Sequence, residues 1–274
     1  MKLRAYAKLN LSLRIFEKRP DGFHDLESIM QSISLYDSIT LSPLSSGIEV
    51  ICSDPAVPKG QDNIACKAAE LFFRQKTKDQ RQQTGIKIHI EKRIPMAAGL
   101  AGGSADAAAV LYGLNQMENA EFRMPNDELM KIGSEIGSDV PFCLVGGTCL
   151  VKGRGEIVEK QEPWPKTYFV LVTPNIHVST KWAYEEIDRL HLNLPEDIKN
   201  DLEPVVVSKH DVITEIKEKL VKLGCNEAQM SGSGPSVFGI VRDKARGEKI
   251  LSAMKEDHSR AYLVETIDKG VEHC

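Results

Sequence analysis

Three short segments of this chain hold the residues whose types and spacing could do chemistry. The first is Pro95-Met-Ala-Ala-Gly-Leu-Ala-Gly-Gly-Ser104, a small-residue run leading straight into a helical pattern from Ala105 to Met117. Its glycines and alanines let a backbone come close to a ligand. Ser104 stands where a helix N-cap is expected. The first-turn amides of such a helix have no internal partners, and with the positive end of the helix dipole they make an anion site for which phosphate is the usual guest. The second segment is Gly137-Ser-Asp-Val-Pro-Phe142. Proline disfavours helix in Val140, so Asp139 is expected on a non-helical turn. There it could take a proton from a hydroxyl, or it could cap a helix or complete an Asx turn. The third is Ala5-Tyr-Ala-Lys-Leu-Asn10. Lys8 has apolar neighbours within a strand pattern, and lysine is seldom buried without a partner. It could face Asp139 and stabilise that carboxylate, or face water as an edge-strand lysine.

A second glycine run, Met230-Ser-Gly-Ser-Gly-Pro235, either supports the first across an interface or simply joins a helix to a strand. Other chemistries find no motif. No GxxxxGK[ST] or GxGxxG loop is present, the seven histidines form no HExxH pattern, and there is no GxSxG elbow. The six cysteines show no CxxC pair or zinc-like spacing, so no metal site is read from protein residues. The net charge of −4 argues against a nucleic-acid surface, although a local anion site remains compatible with it. No signal-peptide pattern opens the chain and no apolar run could span a bilayer, so a cytoplasmic protein with reduced thiols and no membrane partner is expected.

These residues need elements to hold them. Alternation predicts strands over 9–15, 28–41, 86–91, 168–172, 236–241 and 261–266, and a strand, tight turn and strand over 148–158. Helical spacing predicts helices over 64–74, 104–117, 127–136, 180–190, 210–223 and 245–254. Arg19-Pro-Asp-Gly22 is a turn by residue type, and the polar stretch 74–84 reads as a loop or frayed helix end. Composition shifts at Glu162-Pro-Trp-Pro165, which suggests a lobe over 1–160 and another over 161–274. Strands and helices without strict βαβ alternation indicate an α+β fold.

Together the segments resemble the GHMP kinase superfamily. Residues 95–109 are similar to its ATP loop and 230–238 to its C-terminal glycine motif. Segments 7–39 and 137–158 are similar, more narrowly, to the branch that phosphorylates 4-diphosphocytidyl-2-C-methyl-D-erythritol in the non-mevalonate isoprenoid route. The likeness runs from about Lys2 to Val241. It implies two lobes, the first like ribosomal protein S5 domain 2 and the second an α+β layer, with ATP and acceptor meeting between them. It implies that Asp139 is the catalytic base and Lys8 its partner. Pro95, Met96, Ala97, Ala98, Gly99, Leu100, Ala101, Gly102, Gly103, Ser104 and Ala105 would hold the ATP phosphates. Asn10, Phe23, His24 and Tyr184 would hold a small-molecule acceptor carrying a cytidine diphosphate group. Mg²⁺ would bridge phosphate oxygens, with the Ser104 hydroxyl a candidate ligand.

Two positions depart from the superfamily pattern. Glycine is often found where this chain has Ala101, and a methyl group there is expected to require negative φ. Tyrosine often precedes the histidine where this chain has Phe23, which keeps stacking but not a hydroxyl hydrogen bond. A nucleotide-binding module without turnover could dispense with Lys8 and Asp139. A mevalonate or homoserine kinase would have no use for the Asp21-Gly-Phe-His24 segment.

Overall fold

The computed structural model describes residues 1–76, 85–190 and 198–274. Its organising element is the 21-residue strand β3 (His24–Leu44). β1 (Lys2–Asn10) and β5 (Gly85–Glu91) pair antiparallel with its later part, while β2 (Arg14–Lys18) and β6 (Thr148–Gly153) flank its beginning. β4 (Ile48–Cys52) adds in parallel to β5, and β7 (Ile157–Lys160) lies outside β6. The eighth strand of this sheet is β12 (Val271–His273), which pairs with β1. A division at residue 160 therefore leaves the last strand of the chain with the sheet that precedes the division.

Four helices belong with this sheet: α1 (Ile64–Lys76), α2 (Gly102–Met117), α3 (Asn126–Ile136) and α4 (Val140–Val145). The alanines of α2 let it lie close on β1 and β3, and eleven of its residues are buried. At Gly113 a Cβ would stand 2.4 Å from Leu41 Cδ1 and 2.8 Å from Leu3 Cδ1, so a larger residue there would force those side chains to shift.

The second sheet has the order β11 (Ala261–Glu265), β8 (Tyr168–Val172), β10 (Val237–Val241), β9 (Ala228–Met230) and is antiparallel throughout. α7 (Val212–Leu223) and α8 (Lys244–Lys255) pack on it. α7 stops at Gly224, whose φ of 111° suits only glycine, and Asp243 caps α8 by accepting from Arg246 N at 2.8 Å. α5 (Thr180–Leu190) and α6 (Glu203–Val207) complete the helices among the described residues. Mainly antiparallel sheets with helices set to their faces give the α+β class expected, and one continuous apolar core joins both sheets.

The predicted strand 9–15 is divided. β1 ends at Asn10 and β2 begins at Arg14: the chain bends at Leu11, and both strands pair with the same edge of β3, opposite β6. α1 continues to Lys76, and the rest of the polar stretch, 77–84, lies outside the described residues.

Candidate active site

The small-residue run forms the connection from β5 to α2, as its position after a strand predicts. Two details differ from expectation. α2 begins at Gly102, so its N-cap is Ala101 and Ser104 lies inside the first turn. Ala101 has φ 57°, and Ala97 has φ 49°. The expectation that Ala101 keeps negative φ is therefore corrected. A left-handed alanine costs on the order of 1–2 kcal/mol. The fold holds it there because Ala105 N donates to Ala101 O at 2.9 Å, while Lys8 N donates to the preceding carbonyl, Leu100 O, at 3.2 Å. Among the described residues the amides of Gly102, Gly103 and Ser104 have no hydrogen-bond acceptor, which leaves them to an anion at the helix N-terminus.

The same strand that anchors the loop carries Lys8. Its side chain is 5% exposed, its Nζ donates to Asn10 Oδ1 at 2.6 Å, and it stands 3.5 Å from Asp139 Oδ2. The water-facing alternative for Lys8 is thus excluded. Asp139 precedes α4 at the N-cap position with φ −83° and ψ −10°. Val140 is helical, against expectation, because Pro141 falls in the first turn, where its missing N–H is not needed. The Asp139 side chain caps nothing and faces Lys8 instead. Asn10 is fixed in turn: its Nδ2 donates to Ser28 Oγ at 2.8 Å, and that hydroxyl donates to Ser12 O at 2.5 Å.

The second glycine run lies against the first. Ser231 Oγ donates to Gly99 O at 3.0 Å and accepts from Asn10 N at 3.2 Å, and Ser236 N donates to Ala98 O at 3.3 Å. The approach admits no side chain at Gly99, where a Cβ would meet Ser231 O at 2.2 Å. Asn200 Nδ2 holds the run from behind, donating to the carbonyls of Met230 and Gly232 at 2.9 and 2.8 Å.

A cavity of about 830 Å³ unites these groups with Phe23, His24 and Tyr184. His24 is buried, its Nε2 2.6 Å from Asp188 Oδ1 and its ring 5.3 Å from that of Tyr184. Phe23 is 49% exposed, with the Arg154 guanidinium 5.3 Å from its ring centre. Burial, then the Asp139 carboxylate, push the Tyr184 phenol up, so it stays neutral. Every site residue expected from the sequence except Pro95, Leu100 and Ala105 lines this cavity, and those three are held in the loop and first turn beside it.

Known proteins resemble this chain over nearly its whole length. The GHMP kinases N terminal domain matches residues 63–147 and the GHMP kinases C terminal domain residues 179–260. The 4-diphosphocytidyl-2-C-methyl-D-erythritol kinase of Thermoanaerobacter pseudethanolicus is 43% identical, over 99% of this chain and 98% of its own length. The enzyme of that name from Enterococcus faecalis is 40% identical over 96% and 98%. The chain belongs to the 4-diphosphocytidyl-2-C-methyl-D-erythritol kinase family of GHMP kinases. A crystal structure of 4-(cytidine 5'-diphospho)-2C-methyl-D-erythritol kinase superposes with a TM-score of 0.81 at 30% identity, covering 97% of this chain and 99% of that one. Homoserine kinase from Cytophaga hutchinsonii, at TM-score 0.75 and 20% identity, shares the fold, over 99% of this chain and 96% of its own.

Some groups in the GHMP kinase cavity escaped sequence reasoning. Lys92 Nζ donates to Asp37 Oδ2 at 2.5 Å and to Asp106 Oδ2 at 2.8 Å. Asp37 Oδ1 accepts from the amides of Arg93 and Ile94, which ties down the start of the small-residue loop. Asp106 Oδ1 is buried with no partner. Burial raises the Asp106 carboxyl well above its ordinary value, against the pull of Lys92. Burial also opposes the charge on Lys92, but Asp106 and Asp37 more than offset it and raise that ammonium. One signal was available: Asp106 is the sole charged residue between Pro95 and Met117. Asp188 and Arg154 carried none, since each lies in an ordinary polar context.

Proposed function

We propose that this chain transfers the γ-phosphoryl group of ATP to a hydroxyl of 4-diphosphocytidyl-2-C-methyl-D-erythritol. The observation that carries the reading is the Lys8–Asp139 pair, 3.5 Å apart in a cavity also lined by the glycine loop and by Phe23, His24 and Tyr184. Phosphoryl transfer asks a protein mainly for positioning and charge stabilisation. The free amides of Gly102, Gly103 and Ser104 receive phosphate oxygens. Asp139 accepts the hydroxyl proton as the acceptor oxygen bonds to the γ-phosphorus and the bond to the β–γ bridging oxygen breaks, releasing ADP. Lys8 holds the Asp139 carboxylate in place and draws the acceptor oxygen into line. Phe23 and Tyr184 offer ring faces to a cytosine, and His24 offers a polar edge. Asn10 holds Lys8 in place through its side-chain oxygen.

No group of three or more acidic, His or Cys side chains that could cage a metal exists among the described residues. The donors present suit a Mg²⁺ that arrives with the nucleotide, held by the Ser104 hydroxyl, which stands close to Gly137 in the turn before Asp139. Such an ion supplies neutralisation of phosphate charge.

The test is ADP release by purified protein with ATP and the cytidylylated acceptor, against methylerythritol phosphate, mevalonate and homoserine as controls. Turnover confined to the cytidylylated acceptor supports the reading. Equal turnover of methylerythritol phosphate would remove the cytidine pocket, and turnover of mevalonate or homoserine alone would reassign the acceptor.

A further inference from the structure

One wall of the cavity carries a contact between α5 and the β2–β3 hairpin. Asp188, on α5, reaches the β2–β3 hairpin: its Oδ1 lies 2.6 Å from His24 Nε2 and its Oδ2 accepts from Lys18 Nζ at 2.6 Å. Burial opposes the Asp188 charge, but hydrogen bonds from Lys18 and His24 outweigh that and hold the carboxyl below its ordinary value. An ionised carboxylate only accepts, so the proton of this contact sits on His24 Nε2. In the neutral ring Nδ1 is then an acceptor. Among the described residues no hydrogen bond reaches Nδ1, and His24 lines the cavity.

Resting on the cytidine-bearing acceptor proposed above, we infer that Asp188 is a specificity-determining residue: it fixes His24 with Nδ1 as acceptor, which reads the amino group of cytosine and rejects uracil. Cytosine presents an N4 amino donor where uracil presents an O4 acceptor. An acceptor on the protein satisfies the first and opposes the second. Lys18 makes the assignment testable. In Asp188→Asn the ammonium of Lys18 takes the amide oxygen, which turns the amide NH₂ toward His24 Nε2. The ring must then accept at Nε2 and carry its proton on Nδ1, as happens when an orienting aspartate is replaced in a serine protease triad. The preference between the bases should fall or invert.

The experiment compares kcat/KM for the cytidine diphosphate acceptor and its uridine congener, in wild type, Asp188→Asn and the double variant Lys18→Met with Asp188→Asn. Folding is checked by circular dichroism. The cytidine-to-uridine ratio should fall about tenfold or more in Asp188→Asn, mostly through KM, since a site built around one hydrogen bond discriminates strongly. It should recover in the double variant, where the amide is free to turn its oxygen to His24. A loss of packing alone would not be undone by a second substitution. Nitrogen NMR of wild-type His24 reads the tautomer directly and needs no variant: a protonated Nε2 and bare Nδ1 is expected. An unchanged ratio, no recovery in the double variant, or a proton on Nδ1 overturns the assignment. Wild type inactive with both congeners would instead overturn the acceptor reading, while the NMR result would still decide the state of His24.

Discussion

Replacing Asp139 with asparagine separates chemistry from folding. The amide keeps the size of the carboxylate and cannot take a proton. A positioned general base is worth about 10²–10⁴ in rate, so kcat should fall by that factor, about 3–5 kcal/mol of lost transition-state stabilisation. The stability effect is bounded by the contact with Lys8. Charges 3.5 Å apart attract by about 1 kcal/mol at the dielectric of water and about 5 kcal/mol at an effective dielectric of 20. Asp139 is 29% exposed, and its side chain caps no helix, so the lower part of that range applies, about 1–2 kcal/mol. For a chain of this size that is a melting-temperature loss of roughly 2–8 °C. Nucleotide affinity should hold, because the loop amides and Ala101 geometry do not depend on Asp139. The assays are single-turnover phosphoryl transfer, nucleotide titration and thermal unfolding on the same preparation. Turnover within a few-fold of wild type would refute the base assignment and return Asp139 to a structural role.

Lys8→Ala should reduce kcat more than nucleotide affinity, and Lys8→Arg should not restore it. A planar guanidinium fork would replace the compact point charge whose Nζ donates to Asn10 Oδ1 at 2.6 Å. Steady-state kinetics on both variants would show this, and unchanged kcat would remove Lys8 from the mechanism. Ala101→Gly should raise stability by about 1 kcal/mol, or roughly 2–4 °C in melting temperature, by relieving the left-handed alanine. A lower melting temperature would mean that the backbone at residue 101 carries no strain. Phe23→Ala should raise KM for the cytidylylated acceptor about tenfold or more, since stacking on a base is worth ~1–3 kcal/mol, and leave KM for ATP in place. Equal KM values for the acceptor would place its base elsewhere.

Local signals were enough for the small-residue loop between a strand and a helix, and for the α+β class, because each is set by residue type and period over neighbouring positions. Glycines, alanines and the alternation of 86–91 need no distant partner to be read. The boundary errors share one cause. Ser104 looks like a cap and Val140 looks non-helical when only sequence neighbours are considered. The long-range contact from Lys8 N to Leu100 O sits beside the loop that places the helix start at Gly102, and the fold starts α4 early enough for Pro141 to sit harmlessly in its first turn.

The pairing of Lys8 with Asp139 was undecided in the sequence, where 130 positions and two alternatives separated the charges. Only the crossing of β1 under the turn before α4 brings them to 3.5 Å. The same holds for Asp188 beside His24 and for Lys92 between Asp37 and Asp106: a charged side chain looks the same in the sequence whether water or a buried partner surrounds it. Composition and spacing thus pointed to the chemistry and to the short segments proposed to carry it. Tertiary structure decided which charges meet and which backbone amides stay free, because those depend on burial and on distances between strands far apart in the chain.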